Sequence, residues 1–133
     1  MSVIKYPRRM SQNISFNNLR LNGFTPSDID IAYEVNGATF IFGEIKKKGV
    51  KVPKGQALLL RHIAKGLKEA GKNVMLFVAE HETQVSEDVD AGSLAVKHVY
   101  FTKDGIGHRE SYPGCTVHEL CNKFLQDNDA IKG

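Results

Sequence analysis

A chain of 133 residues with 41% apolar and 25% charged side chains and no tryptophan has the size and composition of one globular domain, which excludes a second domain of ordinary size. No apolar run approaches the roughly 20 residues that cross a bilayer, and residues 1–9 lack the apolar stretch of a secretory signal, so the expectation is a cytoplasmic protein with no membrane partner. Cys115 and Cys121 are too few for a disulfide framework and lack Cys-x-x-Cys spacing, and a net charge of +3 identifies no partner by itself.

In chain order, a basic arm with Lys5, Arg8 and Arg9 precedes residues 10–21, which read as a short first helix that Asn13, Asn17 and Asn18 weaken. Residues 29–35 are a β-branched and aromatic run, Asn36-Gly37 is a turn pair, and residues 38–46 are a second such run, which together predict a hairpin. A two-residue loop pairs Val35 with Ala38 and separates Asp30 from Glu44 onto opposite faces. A three-residue loop with Gly37 in the left-handed region pairs Glu34 with Ala38 and puts Asp28, Asp30, Glu44 and Lys46 on one face. Both registers stay open.

A basic loop over 49–52 leads to Pro53 at a helix start and Gly71 at its end, with Leu60, Ile63, Ala64 and Leu67 at helical spacing. Residues 74–79 read as a buried strand, and strand, helix, strand in that order implies a parallel crossover. The acidic stretch 80–92 reads as a loop, 94–101 as a strand, 103–107 as a turn and 108–112 as a returning strand. Thr116 and Glu119 form a capping-box pattern ahead of a last helix running to about Gln126.

The chemistry gathers where polar groups interrupt apolar elements. Glu44 and Lys46 alternate with Ile45 and so share a strand face, Asp30 stands near the start of the preceding strand, and Gln56 opens the following helix on its inward side. Two carboxylates, Asp30 and Glu44, with the Ile45 carbonyl, are hard oxygen ligands suited to Mg²⁺, with Mn²⁺ able to substitute. An ion between them offsets their repulsion and activates water against a phosphoryl group, and Lys46 beside it can orient that water or offset transition-state charge. Taken alone, Glu-x-Lys in a strand reads as an ordinary cross-strand ion pair. Lys47, Lys48, Lys51 and Lys54 are candidate phosphate contacts. Arg61 joins them, although the stripe it forms with Lys65 and Lys68 reads first as an exposed helix face.

Asp30, Glu44-x-Lys46 and Gln56 at the next helix start resemble the PD-(D/E)XK nuclease superfamily, which includes Holliday-junction resolvases, restriction enzymes and recombination exonucleases. The resemblance covers about residues 27–80. It implies an α/β, restriction-endonuclease-like core, a mixed β-sheet with an antiparallel meander and a parallel strand, flanked by helices. It also implies Asp30 and Glu44 as metal carboxylates, Lys46 as catalytic lysine and Gln56 as the glutamine several subfamilies place there. Asp28 also resembles the motif's aspartate, with Asp30 preferred on its spacing to Glu44. Many members carry a further acidic ligand on the first helix, and residues 10–21 contain none. The expected activity is metal-dependent hydrolysis of DNA at branched, single-stranded or end structures, with a homodimer needed to cut two strands. The rivals are a non-catalytic nucleic-acid- or protein-binding module on the same core, and a phosphodiesterase of small substrates.

Overall fold

A computed structural model describes residues 15, 17–24, 26–82, 88–102, 105–111 and 115–132, with backbone alone for 101, 102 and 105–111. The elements are β1 (Ile31–Val35), β2 (Thr39–Lys47), α1 (Lys54–Glu69), β3 (Asn73–His81), β4 (Ala95–Thr102), β5 (Gly105–Ser111) and α2 (Val117–Asp127). They build one mixed α/β layer structure. The five strands lie in the order β1-β2-β3-β4-β5, with β2 and β3 parallel and the other neighbours antiparallel.

β3 is the centre of the fold because its run from Val74 to Ala79 is apolar at every position, which only a strand covered on both faces tolerates. Val74 and Leu76 meet Leu60 and Ala64 of α1 on one face, and Met75, Phe77 and Ala79 meet Val117, Leu120, Cys121 and Leu125 of α2 on the other. Phe77 lies so close over Gly43 that a Cβ there would sit 2.2 Å from its ring, so the glycine is what lets β2 and β3 pair at this point.

α1 begins after Pro53, whose φ of −55° suits a helix entry, and ends at Gly71, whose φ of +82° a side chain would strain. The Gly71 and Lys72 amides close back on the Lys68 and Leu67 carbonyls. α2 begins with the expected capping box: Thr116 accepts from the Glu119 amide at 3.2 Å, and Glu119 accepts from the Thr116 amide at 3.1 Å.

Several expectations are corrected. The hairpin adopts neither of the two anticipated registers: Val35 pairs with Thr39. Asn36 and Gly37 both take positive φ (54° and 65°) and the Ala38 amide closes on the Val35 carbonyl at 3.0 Å, which leaves Ala38 as one extra residue beyond a tight turn. β3 extends through His81, so the loop begins later than residue 80, and Gly105 already belongs to β5, so the turn before it is shorter. In place of a first helix over 10–21, the described part forms a 3-10 turn at Asn17–Leu19, and residues 10–14 and 16 lie outside the described residues. The strand that would complete a three-stranded meander with β1 and β2 is not found among the described residues.

Candidate active site

The register of the hairpin decides the site. Ile31 pairs with Gly43, and one further step sets Asp30 opposite Glu44, whereas Asp28 lies beyond. Glu44 and Lys46 stand together on the face that α1 covers, and Asp30, in the bend just before β1, brings its carboxyl beside that of Glu44. Asp30 takes over where β1 stops: its Oδ2 accepts from the Ile45 amide at 2.7 Å. The amide and carbonyl of one strand residue point to the same edge, so the Ile45 carbonyl faces the Asp30 side as well.

Gln56, in the first turn of α1, is 9% exposed and fixes the second carboxylate. Its Nε2 donates to Glu44 Oε2 at 2.9 Å and to the Asp28 carbonyl at 3.1 Å. One amide thus ties the segment before β1 to the end of β2. Lys46 Nζ lies 3.9 Å from the same Glu44 oxygen, a looser contact, and its side chain is 21% exposed. A cavity of about 530 Å³ lined by Phe24, Pro26, Asp28, Lys46, Pro53 and Gln56 opens beside it.

Glu44 is the anomaly. It is 0% exposed, and its Oε1 is buried with no hydrogen-bond partner. Burial, helped by the adjoining Asp30 carboxyl, pushes its carboxyl up to about 8 against the opposing pull of Lys46 and the amide of Asp30. At neutral pH the contact with Lys46 is therefore largely that of an ammonium with a carboxylic acid, and it becomes an ion pair only once Glu44 ionises. Each carboxylate commits one oxygen to the protein, Asp30 Oδ2 to Ile45 and Glu44 Oε2 to Gln56. The buried, unpartnered Glu44 oxygen and the all-oxygen donor set fit a hard divalent cation. No cluster of three or more His, Cys, Asp or Glu side chains able to hold a metal occurs among the described residues, so a cation here would draw on two carboxylates and the Ile45 carbonyl.

The structure brings together all four of the expected site residues, Asp30, Glu44, Lys46 and Gln56, and leaves Asp28 contributing a main-chain carbonyl instead of a carboxylate. The expected phosphate contacts divide. Lys47, Lys51 and Lys54 are exposed, whereas Lys48 Nζ holds Glu82 at 2.7 Å and Arg61 lies over the Tyr100 ring, 5.7 Å from its centroid. The basic loop is tied down by Glu80, which also holds Lys97. Glu80 pairs in register with Lys46, and its Oε2 accepts from the Gly49 amide at 3.3 Å and from Lys97 Nζ at 3.1 Å. Burial pushes the Glu80 carboxyl up, but Lys97, the Gly49 amide and Lys48 outweigh it and hold it below the usual carboxylate range. An acid that closes a run of buried strand residues was the available signal for Glu80.

No protein-family model, no curated protein and no solved structure matches the chain. The fold and the site therefore stand on their own geometry: a mixed sheet flanked by helices, with two carboxylates and a lysine converging at the end of β2. No helix among the described residues is long and apolar enough to cross a membrane.

Proposed function

We propose that the chain is a Mg²⁺-dependent nuclease of the PD-(D/E)XK type that hydrolyses phosphodiester bonds in DNA. The observation that carries the reading is the pairing of a buried, partner-seeking Glu44 oxygen with Asp30 and Lys46 beside it. Asp30, Glu44 and the Ile45 carbonyl would hold the ion. When bound, the ion supplies Lewis acidity toward a phosphoryl oxygen and toward water.

Gln56 holds Glu44 Oε2 in place, so that the free oxygen of the carboxylate keeps its aim as the charge around it changes. Asp30 is fixed by the Ile45 amide, which sets the two carboxylates without reorganisation. The Lys46 ammonium, partly exposed beside the cavity, meets the negative charge that grows on a phosphate undergoing attack. Lys47, Lys51 and Lys54, all exposed, would serve as contacts to the DNA backbone, and two chains acting as a homodimer would cut two strands. A cytoplasmic DNA enzyme fits this set.

The test is incubation of the purified protein with labelled branched, single-stranded and duplex DNA in Mg²⁺, Mn²⁺ or EDTA. Cleavage is expected with either metal and absent in EDTA, and Lys46→Ala and Asp30→Asn are each expected to slow it by about 100-fold or more. Cleavage that survives both substitutions sinks the site assignment. Binding without cleavage under every metal replaces the enzyme by a binding module, and cleavage of RNA alone, or of small phosphodiesters as readily as polymers, replaces the substrate.

A further inference from the structure

A second cavity of about 430 Å³ lies on the same sheet face, one strand beyond Glu44, lined by Val52, Ala57, Val78, Glu80, His98 and Tyr100 among others. Its size falls in the range of small-molecule sites, roughly 300–1,000 Å³. The strand registers place it. Glu44 pairs with Val78 and Val78 with His98, while Phe42 pairs with Leu76 and Leu76 with Tyr100. Tyr100 is thus two strands from the Glu44 strand, about 10 Å at ordinary strand spacing. A small void of about 50 Å³ that shares Val52, Ala57, Val78 and Tyr100 with this cavity is lined by Glu44 and Arg61 as well, so the walls of the two sites adjoin.

We propose that this groove seats an unpaired nucleobase next to the scissile phosphate, stacked against Tyr100, so that the preferred substrate carries a single-stranded nucleotide beside the cleaved bond; the inference rests on the nuclease reading above. The chemistry of the walls matches a base, which has apolar faces and polar edges. Val52, Ala57 and Val78 offer apolar surface, while Glu80, Lys97 and His98 offer polar groups. Arg61 stacks on Tyr100 at 5.7 Å and His98 meets it edge-on at 6.2 Å, which fixes the ring as a platform and adds cationic character to it. A base inside a continuous duplex is stacked on both faces and reaches such a groove only by leaving the helix, so an already unpaired base enters at lower cost.

The test compares two labelled strands of equal length and charge by fluorescence anisotropy in EDTA, an oligothymidylate and an oligomer of abasic sites, with a blunt duplex alongside. The wild type is expected to bind the oligothymidylate about tenfold more tightly than either competitor. Tyr100→Leu, which keeps apolar volume and removes the ring, is expected to lose that preference while still binding the abasic strand as the wild type does. Equal wild-type affinity for the thymidylate and abasic strands overturns the inference, and that comparison needs no variant. A preference that persists in a folded Tyr100→Leu protein overturns it too. If metal-dependent, Lys46-dependent cleavage stands while the base preference is missing, only the base site falls; if the protein neither binds nor cuts DNA, the nuclease reading falls and takes the base site with it.

Discussion

Glu44 sets the pH response of the molecule. Its carboxyl titrates near 8 in the folded protein against 4.5 as the ordinary value, because it is wholly buried beside a second carboxyl. Between those two values the folded protein holds a proton that the unfolded chain has released. Stability of the metal-free protein therefore falls as pH rises from about 4.5 to about 8, and levels off above. Each unit of the window corresponds to about 1.4 kcal/mol as an upper bound. Thermal melts in EDTA should show the wild type losing midpoint temperature from pH 5 to pH 8 and Glu44→Gln losing much less, with parallel profiles counting against the burial argument. The same proton opposes a cation. Mg²⁺ binding, followed by the rise in melting temperature it produces, should strengthen with pH up to about 8 and then plateau, and a Mg²⁺ effect independent of pH would remove Glu44 from the ligand set. Gln56 donates to Glu44 Oε2, so Gln56→Leu should destabilise the protein by about 1–3 kcal/mol through the buried carboxyl it deprives of that donor, as measured by urea unfolding.

At the scale of elements, Gly43 in β2 and Thr116 ahead of α2 carry separable predictions. Gly43→Ala places a Cβ 2.2 Å from the Phe77 ring, and Phe77 is fully buried between β2 and α2, so the ring has no open space to move into. A cost of about 1–3 kcal/mol is expected in denaturant unfolding, and a neutral substitution would mean that the β2–β3 pairing is looser than described. Thr116→Ala removes one arm of the capping box and should cost about 1 kcal/mol in the same measurement without changing metal response, since α2 packs on the face opposite Glu44. These elements were legible because their signals are local: Pro53 and Gly71 bound α1, Thr116 and Glu119 open α2, and an unbroken apolar run marks β3. The hairpin was legible only in part. Any odd-numbered loop keeps Asp30, Glu44 and Lys46 on one face, so parity delivered the convergence. The choice of Asp30 over Asp28 as the residue opposite Glu44 depends on the extra residue at Ala38, which no propensity encodes. Tyr100 and Glu80 depend on how β3 and β4 pair across a register shift between Val78 and Ala79, a non-local fact that the sequence of either strand leaves open.

For the molecule as a whole, a net charge of +3 is too small to hold a polyanion, so affinity must come from where the cations stand. The end of β2, the loop after it and the start of α1 carry them, and their contacts divide them into two kinds. Lys47, Lys51 and Lys54 are exposed. Lys48 is engaged twice, its amide with the His81 carbonyl at 2.9 Å and its ammonium with Glu82 at 2.7 Å. A phosphate that takes Lys48 must displace Glu82, so the gain from that contact is offset, whereas the other three gain it in full. Each phosphate contact steepens the log–log dependence of DNA affinity on salt by about 0.7 for a single strand. Replacing Lys47, Lys51 and Lys54 together by alanine should accordingly reduce the slope by about 2, while Lys48→Ala alone should change it by clearly less than one contact. Glu82→Ala should act in the opposite direction, tightening binding at low salt by releasing Lys48 to a phosphate, and combining it with Lys48→Ala should abolish that gain. Binding isotherms of a single-stranded oligonucleotide over a salt series measure all four proteins. A Glu82→Ala variant that binds no more tightly than the wild type would place Lys48 away from the path of the strand, and a triple variant with an unchanged slope would move the path off this loop altogether.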